Sequence, residues 1–122
     1  MSTIEIANQL AALCRAGKFL DAVETLYADD IVSVEAREFA GMPRELTGKS
    51  AVKGKNVWWF DNNELHAVEV MGPFVSPERF ALVFTFDRTP KATGERGRFT
   101  EVAVYSVSGG KIVREEFYFE AA

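Results

Sequence analysis

The stretch FALVFTFDR, residues 80–88, alternates between two sets of side chains. One face of an extended chain carries Phe80, Leu82, Phe84, Phe86 and Arg88. The opposite face carries the smaller side chains Ala81, Val83, Thr85 and Asp87. Because successive side chains of a β-strand point to opposite sides of the sheet, this alternation predicts a long strand with one bulky apolar face.

The same period of two continues on both sides of this strand, from Glu64 onward. It predicts further strands over residues 65–71, 99–107 and 112–120. Gly72-Pro73 is expected to end the first of these, and Ser108-Gly109-Gly110 to turn the chain before the last. The second half of the chain is therefore predicted to form a run of antiparallel strands.

The first half of the chain has helical spacing instead. Ser2 and Glu5 have the spacing of a capping box, and the apolar stripe that follows consists of Ile4, Ala7, Leu10, Ala11 and Cys14. A second helix begins near Phe19 and is expected to end at Asp29-Asp30, because carboxylates are unfavourable at a helix C-terminus. A strand over 31–35, a loop over 38–46 and a third helix after Thr47 complete this half.

Helices followed by antiparallel strands predict an α+β fold, with residues 1–122 in a single domain. The predicted strands carry apolar side chains on both faces, as Leu82 and Val83 illustrate. We therefore expect the helices to cover one face of the sheet and a second copy of the chain to cover the other. The predicted assembly is a homodimer formed through the sheet face.

Charge and composition exclude several classes of partner. The formal net charge of the 122 residues is −4, which disfavours binding to the phosphates of nucleic acid. The longest apolar run, residues 80–84, is too short to cross a membrane, and no secretory signal is evident. A single cysteine, Cys14, fits a reducing environment, so we expect a cytoplasmic protein.

Four segments resemble the SnoaL-like branch of the nuclear transport factor 2-like superfamily, which has the ketosteroid isomerase-like fold. They are LYADDIVSVE (26–35), LTGKSAV (46–52), HAVEV (66–70) and GKIVREEFY (110–118). The resemblance implies a cone, in which three helices pack on a strongly curved, mostly antiparallel sheet around a deep cavity. Members include isomerases, polyketide cyclases and dehydratases, together with proteins that only bind a ligand, so the fold alone does not fix the function.

Glu35 is the most informative acidic residue, because the resemblance places an acid or base carboxylate at this position. A carboxylate at the inner end of a strand, among apolar walls, suits the removal of a proton α to a carbonyl group. The alternative is a solvated glutamate at a strand end. The chain departs from ketosteroid isomerases at Leu10, where a tyrosine is expected, so steroid isomerisation itself is not predicted.

Three further residues complete the catalytic candidates. Glu101 and Tyr105 are predicted to share one face of their strand, although a single β-bulge would reverse it. His66 is expected on the apolar face of its strand, either as a hydrogen-bonded core residue or paired with Glu35 or Glu101 across the cavity. One histidine is too sparse for a metal site, and neither a metal nor a cofactor is expected.

Aromatic side chains are the candidates for ligand binding. They are Tyr27, Trp59, Phe84, Phe86 and Tyr118. Arg88 either binds an anionic group at the mouth of the cone or forms a salt bridge at a hairpin end. The cluster Arg114-Glu115-Glu116 is interpreted as a solvated edge, with Glu116 as a partial exception because it shares the face of Tyr118.

Two functions from different classes follow. The first is a cofactor-independent isomerase, cyclase or hydratase that acts on a small apolar carbonyl compound by carboxylate acid–base catalysis. The second is a non-catalytic module of the same fold that binds an apolar ligand or a protein partner.

Overall fold

The computed structural model describes residues 1–120, which form three helices and a six-stranded sheet. In chain order the elements are α1 (Thr3–Arg15), α2 (Phe19–Leu26), β1 (Tyr27–Val34), β2 (Glu45–Thr47), α3 (Lys49–Asn62), β3 (Asn63–Val75), β4 (Arg79–Pro90), β5 (Gly97–Ser108) and β6 (Lys111–Phe119). This is the predicted α+β architecture, with all three helices in the first half of the chain.

The strands are arranged in the order β2-β1-β6-β5-β4-β3. Every neighbouring pair is antiparallel except β1 and β6, which run parallel, so the sheet is mostly antiparallel as expected. The helices pack on one face and enclose a core with the bulky face of β4. Phe80 and Leu82 of that face are almost fully buried.

Helix α1 begins as its sequence predicts. The Ser2 hydroxyl accepts a hydrogen bond from the Glu5 backbone N–H, and the Glu5 carboxylate accepts one from the Ser2 backbone N–H at 3.1 Å. One member of the predicted apolar stripe is wrong: Ile6 is fully buried, whereas Ile4 is exposed. The buried stripe of α1 is therefore rotated slightly about the helix axis, toward Ile6 and away from Ile4.

Asp29-Asp30 do not end a helix. Strand β1 already begins at Tyr27, and both aspartates lie within it, exposed to solvent. They are tolerated there because the pairing between β1 and β6 is irregular between Tyr27 and Val32. A short strand, β2, also interrupts the predicted loop and pairs with the end of β1.

Gly72-Pro73 does not end strand β3 either. The strand continues to Val75, and the two residues are accommodated at a register shift between Met71 and Phe74. Gly72 has a φ angle of +111°, and a Cβ atom there would lie 3.1 Å from the carbonyl oxygen of Ala81. Only glycine combines this backbone conformation with so close an approach of the neighbouring strand.

We expect Gly72→Ala to lower the free energy of unfolding by about 1–3 kcal/mol, because alanine is strained at this φ angle. Gly54→Ala is the matched control: it lies within α3, where a Cβ atom meets open space. It should instead raise stability by about 0.5–1 kcal/mol. Urea denaturation of both variants measures the difference. A Gly72→Ala protein as stable as the wild type would contradict this account of the bulge.

Candidate functional site

A cavity of about 550 Å³ lies between the helices and the inner face of the sheet. This volume is in the range of pockets that hold small organic ligands. Its aromatic walls consist of Phe19, Tyr27, Phe39, Trp59, Phe60, Phe84, Phe86, Phe99, Tyr105, Phe117 and Phe119. Apolar side chains of α1 and α2 extend the wall on the helical side.

The strand register arranges the sheet side of the cavity in rows. The mouth row is Phe86 opposite Phe99; the acid row is Phe84, Glu101 and Phe119; the floor row is Phe80, Tyr105 and Glu115. The floor row is almost fully buried, whereas the charged lining residues Arg37, Arg98 and Glu120 are exposed and Arg88 is half-buried. The cavity therefore opens at the mouth row.

Five polar side chains form a buried network beside this cavity. The Lys55 ammonium group lies 2.8 Å from a Glu35 carboxylate oxygen and donates to the Ser33 hydroxyl at 2.5 Å. Ser33 in turn donates to the Glu115 carboxylate at 2.7 Å. The Tyr27 hydroxyl donates to the other Glu115 oxygen. The network connects α3 with β1, β6 and the segment that follows β1.

Burial changes the acidity of several groups in the site. It raises the pKa of Glu101 to about 8, and the negative charges of Glu35 and Glu115 add to this effect while Lys55 opposes it. Burial also raises the pKa of Glu115, which Lys55 and the hydrogen bonds from Tyr27 and Ser33 partly offset. The pKa of Tyr105 is raised in the same way, first by burial and then by Glu115. At neutral pH, Glu101 is thus mainly a protonated carboxylic acid facing the cavity.

Most of the residues proposed from the sequence line this one cavity. Glu35, Glu101 and Tyr105 do so, and Glu101 and Tyr105 share a strand face as expected. The aromatic candidates Tyr27, Trp59, Phe84 and Phe86 also line it. The apolar surroundings expected for Glu35 are incomplete, because Lys55 forms an ion pair with its carboxylate.

Two candidates lie outside the cavity. His66 is exposed, and its Nε2 atom lies 2.7 Å from the Thr89 hydroxyl. Its predicted face was wrong because the register of β3 shifts between Leu65 and Ala67. Tyr118 is 52% exposed and donates to Glu116, since it alternates with the inward-facing residues of β6. Neither residue contacts the acidic groups of the cavity.

The sequence reasoning missed Lys55 and misplaced Glu115. Lys55 follows Val52 by three positions and precedes Trp59 by four, so helical spacing already put it on the inward stripe of α3. Glu115 was interpreted as part of a solvated edge, yet it precedes Phe117 by two residues and shares its face. Both charged side chains face inward, as the residue spacing of their elements predicts, although charged side chains are usually found at the surface.

Two arginines line the outer part of the cavity: Arg88 lies over Phe99 of the mouth row, and the exposed Arg37 lies over Phe119, the acid-row residue whose ring contacts Phe99. The Arg88 guanidinium carbon is 4.8 Å from the centre of the Phe99 ring, and that of Arg37 is 5.6 Å from the centre of Phe119. The Phe99 and Phe119 rings pack edge to face, with 6.3 Å between their centres. Within residues 1–120, neither arginine forms an ion pair, so the hairpin-end salt bridge considered for Arg88 is not found there.

Among residues 1–120, no three histidine, cysteine, aspartate or glutamate side chains converge to hold a metal ion. None of the helices in that part is both long and apolar enough to cross a membrane.

The sequence model of the SnoaL-like domain family matches residues 1–119. The chain belongs to the SnoaL-like family. A protein from Mesorhizobium loti described as a SnoaL-like polyketide cyclase is 45% identical and has a TM-score of 0.92, with 98% of this chain and 100% of that chain covered. No curated protein matches this SnoaL-like domain.

More distant structures share the fold. A protein from Catenulispora acidiphila with a ketosteroid isomerase-like fold, in complex with trimethylamine, is 17% identical with a TM-score of 0.75 and coverage of 98% and 88%. TerC, co-crystallised with polyporic acid, is 15% identical with a TM-score of 0.77 and coverage of 96% and 90%. The cone expected from the sequence is thus the fold of this SnoaL-like domain.

The raised pKa of Glu101 predicts how stability depends on pH. The folded state holds this proton up to about pH 8, whereas a glutamate ordinarily loses it near 4.5. The stabilisation that Glu101 provides in its protonated form is therefore fully present below pH 4.5 and is lost as the pH rises to 8. Over this range the free energy of unfolding falls by at most about 1.4 kcal/mol per pH unit because of this group. Glu101→Gln cannot titrate and should remove this part of the decline.

Urea denaturation at several pH values between 4.5 and 8 measures the effect. The control is Glu64→Gln, the same replacement at an exposed position of β3. If Glu101→Gln and wild type lose stability in parallel, Glu101 does not hold the proton assigned to it.

Proposed function

We propose that this protein binds a small, mainly apolar carbonyl compound in its cavity and catalyses proton transfer on it without a cofactor. Isomerisation, cyclisation and hydration or dehydration belong to this reaction class. The observation that carries the proposal is the pairing of two carboxyl groups with opposite properties. Glu35 lies in an ion pair with Lys55, and its charge helps to keep Glu101 protonated.

The two groups would divide the work as an acid and a base. A ketone whose oxygen accepts a hydrogen bond from the Glu101 carboxylic acid becomes easier to deprotonate at its α-carbon, because negative charge develops on that oxygen. Glu35 would accept the α-proton, with Lys55 holding its carboxylate in position. Return of the proton to a different carbon gives an isomer, and the carboxyl groups end in their starting forms.

The surroundings support the same assignment. The aromatic walls surround the acid row with apolar surface, which strengthens hydrogen bonds and charge interactions inside the cavity. Tyr105 provides a neutral hydroxyl group deeper in the cavity, at the floor row. His66 and Tyr118 have no part in this proposal, since they lie outside the cavity.

Ligand binding without turnover is the second candidate. One observation favours it: in the free protein the Glu35 carboxylate is already occupied by Lys55 at 2.8 Å. A substrate would have to share Glu35 with this ammonium group, whereas a bound ligand needs only the aromatic walls. Measuring chemistry and binding on the same compound separates the two candidates.

The test uses 2-tetralone, a planar ketone with exchangeable α-protons, in D₂O. We expect the wild type to accelerate the exchange followed by ¹H NMR, and Glu35→Gln to lower the enzymatic rate by about 10²–10⁴-fold. Glu101→Gln should lower it by about 10²–10³-fold, through weaker stabilisation of the enolate. The exposed Glu64→Gln variant is the control and should match the wild type.

Binding of 2-tetralone, measured by quenching of tryptophan fluorescence, accompanies each rate. Glu35→Gln should bind the ketone within a few-fold of the wild type while losing its chemistry. Binding by the wild type with no acceleration of exchange would refute catalysis and favour the binding module.

We also propose that two copies associate through the outer face of the sheet. An apolar row crosses four strands there, formed by Met71, Val83, Val102 and Tyr118 in successive registers. Three of these side chains are between 37% and 59% exposed in the single chain. Monomeric proteins rarely leave such continuous apolar surface in contact with water.

Sedimentation velocity tests this association. The wild type should sediment as a dimer at micromolar concentration, and Val102→Glu should sediment as a monomer, because the carboxylate would be buried without a partner. Val57→Glu is the control, since Val57 is similarly exposed but lies on α3. A wild-type monomer at these concentrations would refute the dimer.

A further inference from the structure

The mouth of the cavity carries positive charge that no carboxylate within residues 1–120 neutralises through an ion pair. Arg88 and Arg37 lie over Phe99 and Phe119, two rings in edge-to-face contact. A third mouth residue, Arg98, is paired with Glu69 at 3.1 Å. Arg96, two residues before Arg98, is paired with Asp87 in the same way. Unlike Arg96 and Arg98, Arg37 and Arg88 therefore have guanidinium groups that can form an ion pair with a ligand.

The deep end of the cavity has the opposite character. Glu35 is the charged partner of Lys55, and Glu101 and Glu115 are carboxyl groups that would repel a second anion if they ionised. The protein as a whole carries a net charge of −4. Among the described lining residues, Lys55 and Arg98 are already paired with carboxylates, so an anionic group is best placed beside Arg37 and Arg88.

We propose that Arg37 and Arg88 form a carboxylate-binding subsite, and that the ligand is a planar, unsaturated carboxylic acid that enters with its carbonyl end first. This inference rests on the proposed function, because it assigns the class and the orientation of that substrate. A guanidinium group donates two parallel hydrogen bonds to a carboxylate, which a neutral ligand cannot accept in the same way. Stacking on Phe99 and Phe119 holds both guanidinium groups at the entrance.

The spacing of the rows suits such a molecule. The acid row lies two residues along β5 from the mouth row, which is about 7 Å in an extended strand. A fused two-ring body can lie along the aromatic wall that includes Phe86 and Phe99, with a carboxylate outside the mouth row and a ketone at Glu101. Trp59 packs directly against Phe86, with 5.5 Å between the ring centres, so the two rings belong to one continuous aromatic wall beside this path.

The test compares 6-acetyl-2-naphthoate with its methyl ester, which has the same rings and ketone but no charge. Dissociation constants are measured by tryptophan fluorescence at neutral pH and low salt. We expect the wild type to bind the acid at least about tenfold more tightly than the ester, as charge-assisted hydrogen bonds imply. Arg37→Met and Arg88→Met should each reduce this preference, and the double variant should abolish it.

Binding of the ester verifies that each variant keeps a folded cavity. Arg96→Met removes a charge that is already paired and does not line the cavity, so the preference for the acid should remain. Glu35→Gln should also retain the preference while it loses α-proton exchange. The subsite and the chemistry are thereby tested independently.

Two results would refute the subsite alone, and a third would refute both proposals. Equal affinity of the wild type for acid and ester refutes the carboxylate subsite and leaves the proposed chemistry in place. A preference that survives in the Arg37→Met/Arg88→Met double variant also refutes the subsite. Failure of both compounds to bind refutes the ligand cavity, and with it both proposals.

Discussion

Burial of the Lys55 ammonium group is the constraint on which the site depends. Its side chain is 6% exposed, and an ammonium group removed from water costs several kcal/mol unless charges and hydrogen-bond acceptors surround it. Glu35 and Ser33 provide those partners, and Ser33 extends the network to Glu115. One buried charge thus determines how α3 is placed against β1 and β6, and these elements enclose the cavity.

This network also distinguishes the acidic residues from one another. Glu115 receives hydrogen bonds from Tyr27 and Ser33 at the floor, so its position is fixed by structure. Glu35 is held by Lys55. Glu101 lies in the acid row, where burial and two neighbouring carboxylates favour its protonated form. Three glutamates that look alike in the sequence therefore have separate properties, because the fold gives each a different neighbour.

Charge changes along the cavity from the floor to the mouth. At the floor, Glu115 accepts hydrogen bonds from Tyr27 and Ser33. The middle is aromatic and contains the protonated Glu101, and the mouth carries Arg37 and Arg88. A ligand that has a polar group at each end of a flat apolar body fits this order in only one direction. The strand register produces the order, because residues two apart on β5 face the same side of the sheet at successive depths.

The sequence by itself determined the order of the three helices and of five of the six strands, the capping box at Ser2, the aromatic face of β4 and the shared face of Glu101 and Tyr105. These features follow from local periodicity, which is visible within a single segment of the sequence. Only the tertiary structure decided that His66 faces solvent and that Lys55 meets Glu35. The first depends on a register shift against β4, and the second on two elements that are distant in the chain. Such pairings depend on which segments become neighbours, and no single stretch of sequence contains that information.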